Sequence, residues 1–316
     1  MSRPVNPHIF KPDQTSEWEK HLEDEGYVVI NDILSNVELL AGLNLFKQDI
    51  ATVSPRFNFD DKTTWGIDTC PLMFGKGMAV FNGFGQSDFM WHLRTNTKIQ
   101  SIFKTIYSTD ELVSSLDGFS MFISKSQKSK SWLHIDQNPA NSIYSIQGAY
   151  NYFPVKDHSD AGFVLVPKSH KTYKPTVPGN KDWFVCPEQP ISESRKLIIP
   201  ENCLVLWNSK TIHANEGMTK PGVELNRLTC YVTYQPKHLR KESIFKKRVM
   251  AYINGCATSH WANKCELKRY PFGFKTRYES RGFNKIEPKL NYEVSGNESD
   301  FSILSNAIPT ERLALL

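Results

Sequence analysis

Trp132-Leu133-His134-Ile135-Asp136 places apolar residues at alternate positions, the pattern of a half-buried β-strand. On a strand, side chains two residues apart leave the same face, so His134 and Asp136 project together. Further along stand His213, in Thr211-Ile212-His213-Ala214-Asn215, and Arg227, in Asn226-Arg227-Leu228-Thr229. Two imidazoles and one carboxylate fill three positions of an octahedral iron and leave three open, which a non-haem Fe(II) oxygenase requires for a bidentate co-substrate and dioxygen. A guanidinium downstream is suited to receive the remote carboxylate of 2-oxoglutarate as a bidentate pair.

A second His-x-Asp occurs at His158-Ser159-Asp160. It lies in Val155-Lys156-Asp157-His158-Ser159-Asp160-Ala161-Gly162, a polar stretch with turn-forming Asp and Gly, and reads as a solvated turn. His134 and Asp136 are therefore the expected ligand pair.

From residue 118 onward the apolar pattern has period two. Candidate strands are 119–125, 132–136, 145–153, 162–167, 196–199, 203–207, 212–215 and 227–234. Short strands separated by turns are the pattern of an antiparallel jelly roll. On the last strand Arg227, Thr229, Tyr231 and Thr233 share one face, and Leu228, Cys230, Val232 and Tyr234 share the other. No βαβ alternation, phosphate-cradling Gly loop or Ser nucleophile elbow is visible. Taken singly, Arg227 reads as a surface ion pair and His213 as a buried strand-end His. Their order after the strand pair is what makes the set distinctive.

Ahead of these strands, residues 15–25 read as a helix and Gly26-Tyr27-Val28-Val29-Ile30 as a β-branched strand. Ser35-Asn36-Val37-Glu38 is a capping box, with Leu34 and Leu39 placed as its hydrophobic staple. The helix it starts carries Val37, Leu40, Leu43 and Phe46 near one face and runs to about Ile50. Residues 53–86 look irregular. Asp88 to Tyr107 reads as a second helical region with Phe89, Leu93, Ile99, Ile102, Phe103 and Ile106 turned inward.

The chain has 316 residues, 40% hydrophobic and 22% charged, ordinary for a globular protein. With no repeat or low-complexity linker, one compact domain over 1–316 is expected: helical support at 15–117, the strand core at 118–236 and a basic extension at 237–316. No run approaches the length of a membrane span, and Met1-Ser2-Arg3-Pro4-Val5-Asn6-Pro7-His8 has no apolar signal core. An intracellular, cytoplasmic protein is the expectation. Cysteines at 70, 186, 203, 230, 256 and 265 show no CxxC spacing, which argues against structural zinc and a disulfide framework. Residues 237–285 carry 13 Lys/Arg against 3 Asp/Glu, a surplus of +10 within a net charge of +5. Such a segment meets nucleic acid, a phosphate-bearing substrate or an anionic membrane, or is simply a solvated helix face, the reading favoured here.

Together these residues resemble the phytanoyl-CoA dioxygenase-like family of Fe(II)/2-oxoglutarate oxygenases. The resemblance spans roughly residues 15 to 262. It includes Gly26–Ile30, the His134/Asp136 pair, Gly162-Phe163-Val164-Leu165-Val166-Pro167-Lys168-Ser169-His170, Leu204-Val205-Leu206-Trp207 leading to His213, and then Arg227. It implies a mainly β, helix-flanked (α+β) protein with a double-stranded β-helix core of jelly-roll or cupin-like type. It also implies that Fe(II) is held by His134, Asp136 and His213, that 2-oxoglutarate and dioxygen are the co-substrates, and that a C–H bond of an unidentified small-molecule or acyl substrate is hydroxylated.

By the same resemblance Met121 stands beside the 2-oxoglutarate, and Gln147 where relatives often carry a Trp. Asn215 hydrogen-bonds a carboxylate, and a loop is expanded over Glu216–Leu225. Related halogenases replace the metal-binding carboxylate with a small residue. Asp136 is intact, which favours hydroxylation. The basic segment favours an anionic substrate, and Thr258-Ser259-His260-Trp261 is a candidate cover for the cavity. Two other readings stay open: a non-catalytic jelly roll whose basic tail holds nucleic acid, and a cupin-like metalloenzyme without 2-oxoglutarate, against which Arg227 argues.

Overall fold

The computed structural model of the chain describes residues 2–66, 68–73, 77–124, 132–177, 179, 181–188, 191–269, 282–295 and 297–316. In chain order its strands are β1 (Arg3–Val5), β2 (Ile9–Phe10), β3 (Tyr27–Ile30), β4 (Met78–Ala79), β5 (Leu112–Ser114), β6 (Phe119–Ser124), β7 (His134–Ile135), β8 (Ile146–Asn151), β9 (Gly162–Leu165), β10 (Phe184–Val185), β11 (Arg195–Leu197), β12 (Cys203–Asn208), β13 (His213–Glu216), β14 (Val223–Tyr231) and β15 (Tyr234–Pro236). Helices include α1 (Thr15–Glu25), α2 (Asn36–Val53), α3 (Asp88–Arg94), α4 (Thr97–Tyr107), α5 (Ser169–Thr172) and α6 (Glu242–Ile253). The chain divides into two compact units, one of Met1–Ile33 with Met121–Thr229, the other of Leu34–Ser120 with Cys230–Leu316.

The first unit is made of two sheets. One runs β1-β11-β9-β13-β7-β10, and the other contains β2-β3-β12-β8-β14-β6 in that order. Strands β6, β8, β12 and β14 belong to the second of these, and β7, β9, β11 and β13 to the first. The chain therefore changes sheet at each step from β6 to β9, and again at each step from β11 to β14. That winding is a double-stranded β-helix, a mainly β jelly roll with flanking helices, as the strand pattern predicts.

Side-chain alternation fixes which residues point inward. Leu133, Ile135, Val164 and Ala214 form one buried cluster with Cys186 and Ile212 on the outer face of the β7-β13-β9 strands. Burying each of the larger apolar side chains contributes about 1.5–3 kcal/mol. A slip of one residue in register would expose that set and bring Leu133 in place of His134, so the apolar cluster holds the inward placement of both histidines.

The N-terminal segment extends the second sheet. Helix α1 buries Trp18 and Leu22 and ends at Gly26, whose φ of 80° is left-handed. A Cβ at Gly26 would lie 2.3 Å from His170 Nδ1 and 2.7 Å from Thr211 Oγ1, so only glycine fits this turn. The chain then enters β3, buried throughout, which pairs antiparallel with β12.

In the second unit the capping box is present as read: the Glu38 N–H donates to Ser35 Oγ, and the Glu38 carboxylate accepts from the Ser35 N–H at 2.7 Å. The inward face of α2 differs from expectation. Phe46 is buried as expected, but Val37 and Leu40 are 78% and 60% exposed, and Asp49, Ile50 and Val53 are buried with Phe46, the helix running on to Val53. Phe46 packs with Phe89 and Phe119, both also buried, so the stripe follows these aromatic partners rather than the local apolar count. The helical region 88–107 is two helices, because Asn96 breaks the first and caps the second by accepting from the N–H groups of Lys98 and Ile99.

Strand boundaries also shift. The stretch 227–234 is not one strand: β14 ends at Tyr231, and Tyr234–Pro236 pairs with β5 in a separate two-stranded sheet. β14 begins at Val223, so the connection after β13 covers 217–222 and is shorter than the expanded loop expected over Glu216–Leu225. Within the basic segment, Lys246 and Lys247 are exposed on α6 while Arg248 is fully buried, so the charge there is only partly a solvated face. Thr258 and Trp261 are buried in the second unit, with Thr258 bridged to Leu267. Residues 270–281 of the basic segment lie outside the described residues. Among the described residues, no helix is long and apolar enough to cross a membrane.

Candidate metal centre

Strands β7 and β13 are antiparallel neighbours with His134 opposite His213 in register. Asp136 follows β7, and its N–H donates to Ser209 O at 3.0 Å, fixing the chain where the strand ends. Asp136 Oδ2 lies 3.2 Å from His213 Nε2, and Oδ1 lies 3.8 Å from His134 Nε2. One ligand atom from each of the three residues falls within 4.8 Å of the others. Both histidines are only 5% exposed.

The tautomers follow from the backbone. His134 Nδ1 is 2.8 Å from Trp132 O, and His213 Nδ1 is 2.9 Å from Thr211 O. A carbonyl only accepts, so each Nδ1 carries a proton and each Nε2 can present its lone pair toward Asp136. The two ring centroids are 4.4 Å apart. Two neutral Nε2 atoms and a carboxylate oxygen are a donor set suited to a divalent transition metal, with each imidazole oriented through its other nitrogen.

Gln147, on β8 and 4% exposed, donates from Nε2 to Asp136 Oδ2 at 3.0 Å. Its observed partner is thus the carboxylate. Arg227, 2% exposed, sits in a second polar group. Its Nε donates to Thr229 Oγ1 at 2.8 Å, a guanidinium nitrogen donates to Asn215 Oδ1 at 2.9 Å, and Thr229 Oγ1 donates to Asn151 Oδ1 at 2.6 Å. Asn215 joins the two groups, being two residues after His213 on β13. Met121 is fully buried on β6, beside β14, so it shares the sheet of Arg227 and not the strand pair that carries the two histidines.

Aromatic rings wall the centre. Trp132 stacks on His134 at 4.6 Å and donates its Nε1–H to Asn215 O at 2.9 Å. Phe163 and Trp207 flank His213 at 5.6 and 5.3 Å. Trp183, 54% exposed, lies 6.0 Å from the His134 ring. Of these walls and anchors, Asn151, Trp132, Phe163, Trp183 and Trp207 escaped the sequence reading as site residues. The usable signal for Asn151 was its even spacing from Gln147 along β8, which puts both on one face.

The second His-x-Asp is a turn. His158 is exposed, while Asp160 is buried and bound to Lys220 at 2.6 Å, to Asn226 and to the Lys156 N–H. Burial alone would raise the Asp160 pKa, but these partners outweigh it and hold the carboxyl below its ordinary value.

No family model matches the chain. It is 22% identical over 267 residues to Ava biosynthesis cluster protein O of Aspergillus versicolor, covering 77% of this chain and 85% of that protein. Among solved structures it is similar to the epimerase SnoN in complex with Fe3+, alpha ketoglutarate and nogalamycin RO, with a TM-score of 0.49 and 14% identity over 71% of this chain and 84% of that one. It is similar also to the non-heme alpha ketoglutarate dependent carbocyclase SnoK from nogalamycin biosynthesis, at a TM-score of 0.49 and 15% identity over 73% and 87% of the two chains. HygX from Streptomyces hygroscopicus, with nickel and 2-oxoglutarate bound, gives a TM-score of 0.45 and 13% identity over 71% and 87%.

Proposed function

We propose that this protein is an Fe(II)- and 2-oxoglutarate-dependent oxygenase that hydroxylates a C–H bond of a small molecule. The observation that carries the reading is on β13. His213 and Asn215 leave the same face, about 7 Å apart along the strand, and Asn215 holds the Arg227 guanidinium. A metal site and a carboxylate receptor are thereby set at a spacing that a five-carbon keto diacid can bridge.

In this reading His134, Asp136 and His213 hold the iron, which with 2-oxoglutarate and dioxygen supplies the oxidising chemistry. The protein's own residues do the rest. Trp132 O and Thr211 O keep both Nδ1 atoms protonated, so both Nε2 lone pairs face the metal. Gln147 fixes the rotation of the Asp136 carboxylate. Asn215 and Thr229 aim Arg227 at the far carboxylate of the co-substrate, with Met121 on the neighbouring strand. Trp132, Phe163 and Trp207 surround the histidines with apolar rings and keep bulk water from the centre. A relative named for a biosynthesis cluster supports a small-molecule substrate, and the basic surplus of residues 237–285 favours an anionic one.

The test needs no substrate. Purified apo-protein receives Fe(II) and then 2-oxoglutarate without oxygen, and the visible metal-to-ligand charge-transfer band is recorded. The expected result is a band in the wild type, its loss in Asp136→Ala together with iron binding, and at least tenfold weaker 2-oxoglutarate binding in Arg227→Ala with iron retained. Folded, iron-loaded wild type that gives no band with 2-oxoglutarate would overturn the proposal.

A further inference from the structure

We infer that Trp207 is a further binding residue of this site, its indole N–H donating a hydrogen bond to the chelating end of the bound co-substrate. The inference rests on the function proposed above and adds a residue to it. Trp207 is 2% exposed, and its Nε1 is buried with no hydrogen-bond partner among the described residues. Buried indole N–H groups ordinarily find an acceptor, so an orphan inside a candidate site points to an acceptor that arrives with a ligand. The neighbouring rings cannot serve. Phe163 has no acceptor, while His213 gives Nδ1 to Thr211 O and turns Nε2 to Asp136.

Register says which end of the ligand it meets. Trp207 on β12 is directly opposite Gln147 on β8, and Gln147 bonds Asp136, so the indole stands at the level of the metal ligands. Asn151, which anchors Thr229 beside Arg227, is opposite Cys203, four residues and roughly 13 Å further along the same strand pair. A keto diacid with its far carboxylate on Arg227 thus presents its metal-bound end to Trp207. The donor would orient that end and draw electron density from it.

Trp207→Phe keeps a ring of similar shape and removes the N–H. In the anaerobic titration with Fe(II) and 2-oxoglutarate, the variant should bind iron as the wild type does. It should bind 2-oxoglutarate roughly tenfold more weakly and show a displaced charge-transfer maximum. Arg227→Lys should weaken binding without displacing the maximum, because it acts on the far carboxylate. A readout on the unmodified side chain runs in parallel. In 15N-tryptophan-labelled, Zn(II)-loaded protein, the Trp207 indole proton should move downfield when 2-oxoglutarate is added. An unchanged affinity and maximum in Trp207→Phe, or an indole resonance that stays in place while 2-oxoglutarate binds, sinks the inference and leaves the function standing. If the variant does not fold, the indole resonance alone decides. A wild type that shows no band at all removes the function and the inference together.

Discussion

Gln147 decides how the Asp136 carboxylate is presented. A carboxylate on a single rotatable stem binds a metal well only if its rotation is fixed, and the 3.0 Å hydrogen bond from Gln147 Nε2 to Oδ2 fixes it. Gln147→Leu preserves most of the volume and removes the donor. Metal affinity, measured in competition with a chromogenic chelator, should fall about 10–100-fold; wild-type affinity would mean that another group orients Asp136. The His134/Asp136 pair was legible because a period of two is a local property, and Thr229 was legible from Arg227 by the same rule. Asn151 and Trp132 were not. Asn151 meets Thr229 across two strands, and Trp132 reaches the carbonyl of Asn215 some eighty residues on, and neither pairing is written in the local pattern. Gln147 was placed by resemblance where relatives often carry a Trp, and its observed bond is to Asp136.

Elements are held by their ends as much as by their faces. In α2 the Ser35 hydroxyl and the Glu38 carboxylate satisfy two N–H groups that the helix leaves without partners. The bond to the Ser35 N–H, the largest influence, also draws the Glu38 carboxyl below its ordinary range. Ser35→Ala should lower stability by about 1 kcal/mol in chemical denaturation. Val37→Lys, two residues later and 78% exposed, should stay within about 0.5 kcal/mol. A large loss at Val37 would mean that its apolar side chain is covered in solution. The contrast shows why the cap could be read from the sequence while the buried face could not. The cap needs only neighbours three residues apart, whereas the face depends on Phe89 and Phe119, which arrive from other elements. Strand β14 repeats the lesson. Alternation persists through Val232 to Tyr234, yet the strand ends at Tyr231 and the chain takes β5 as its new partner. Hydropathy records which face is apolar and is silent about which strand lies alongside.

At the scale of the whole molecule, charge is distributed by unit. The candidate metal ligands and Arg227 belong to the first unit, and the surplus of +10 in residues 237–285 belongs to the second. The second unit also buries charge outright. Desolvation pushes Arg94 down to about 10 and Arg248 down to about 9, and both stay protonated at neutral pH by donating to backbone carbonyls, Gly85 O and Asp117 O for Arg94, Ser114 O and Leu316 O for Arg248. Asp49 is a buried group that titrates in the physiological range. Burial lifts its carboxyl to about 7, against hydrogen bonds from Ser87 and the Phe89 N–H that lower it, and among the described residues Oδ2 has no partner. In the unfolded chain the same group titrates near its ordinary value of 3.8. Between those two values the folded state binds the extra proton, so stability falls as pH rises from about 4 through about 7 and is lowest above it. The full swing is on the order of 4 kcal/mol, since each tenfold change in proton affinity between the folded and unfolded chain corresponds to about 1.4 kcal/mol. Asp49→Asn keeps the shape and removes the charge. Denaturant unfolding at pH 5 and pH 8 should show the wild type weaker at pH 8, and the variant more stable than the wild type at pH 8 with this part of the pH slope gone. A variant that keeps the whole slope would assign it to other groups and place Asp49 in contact with water.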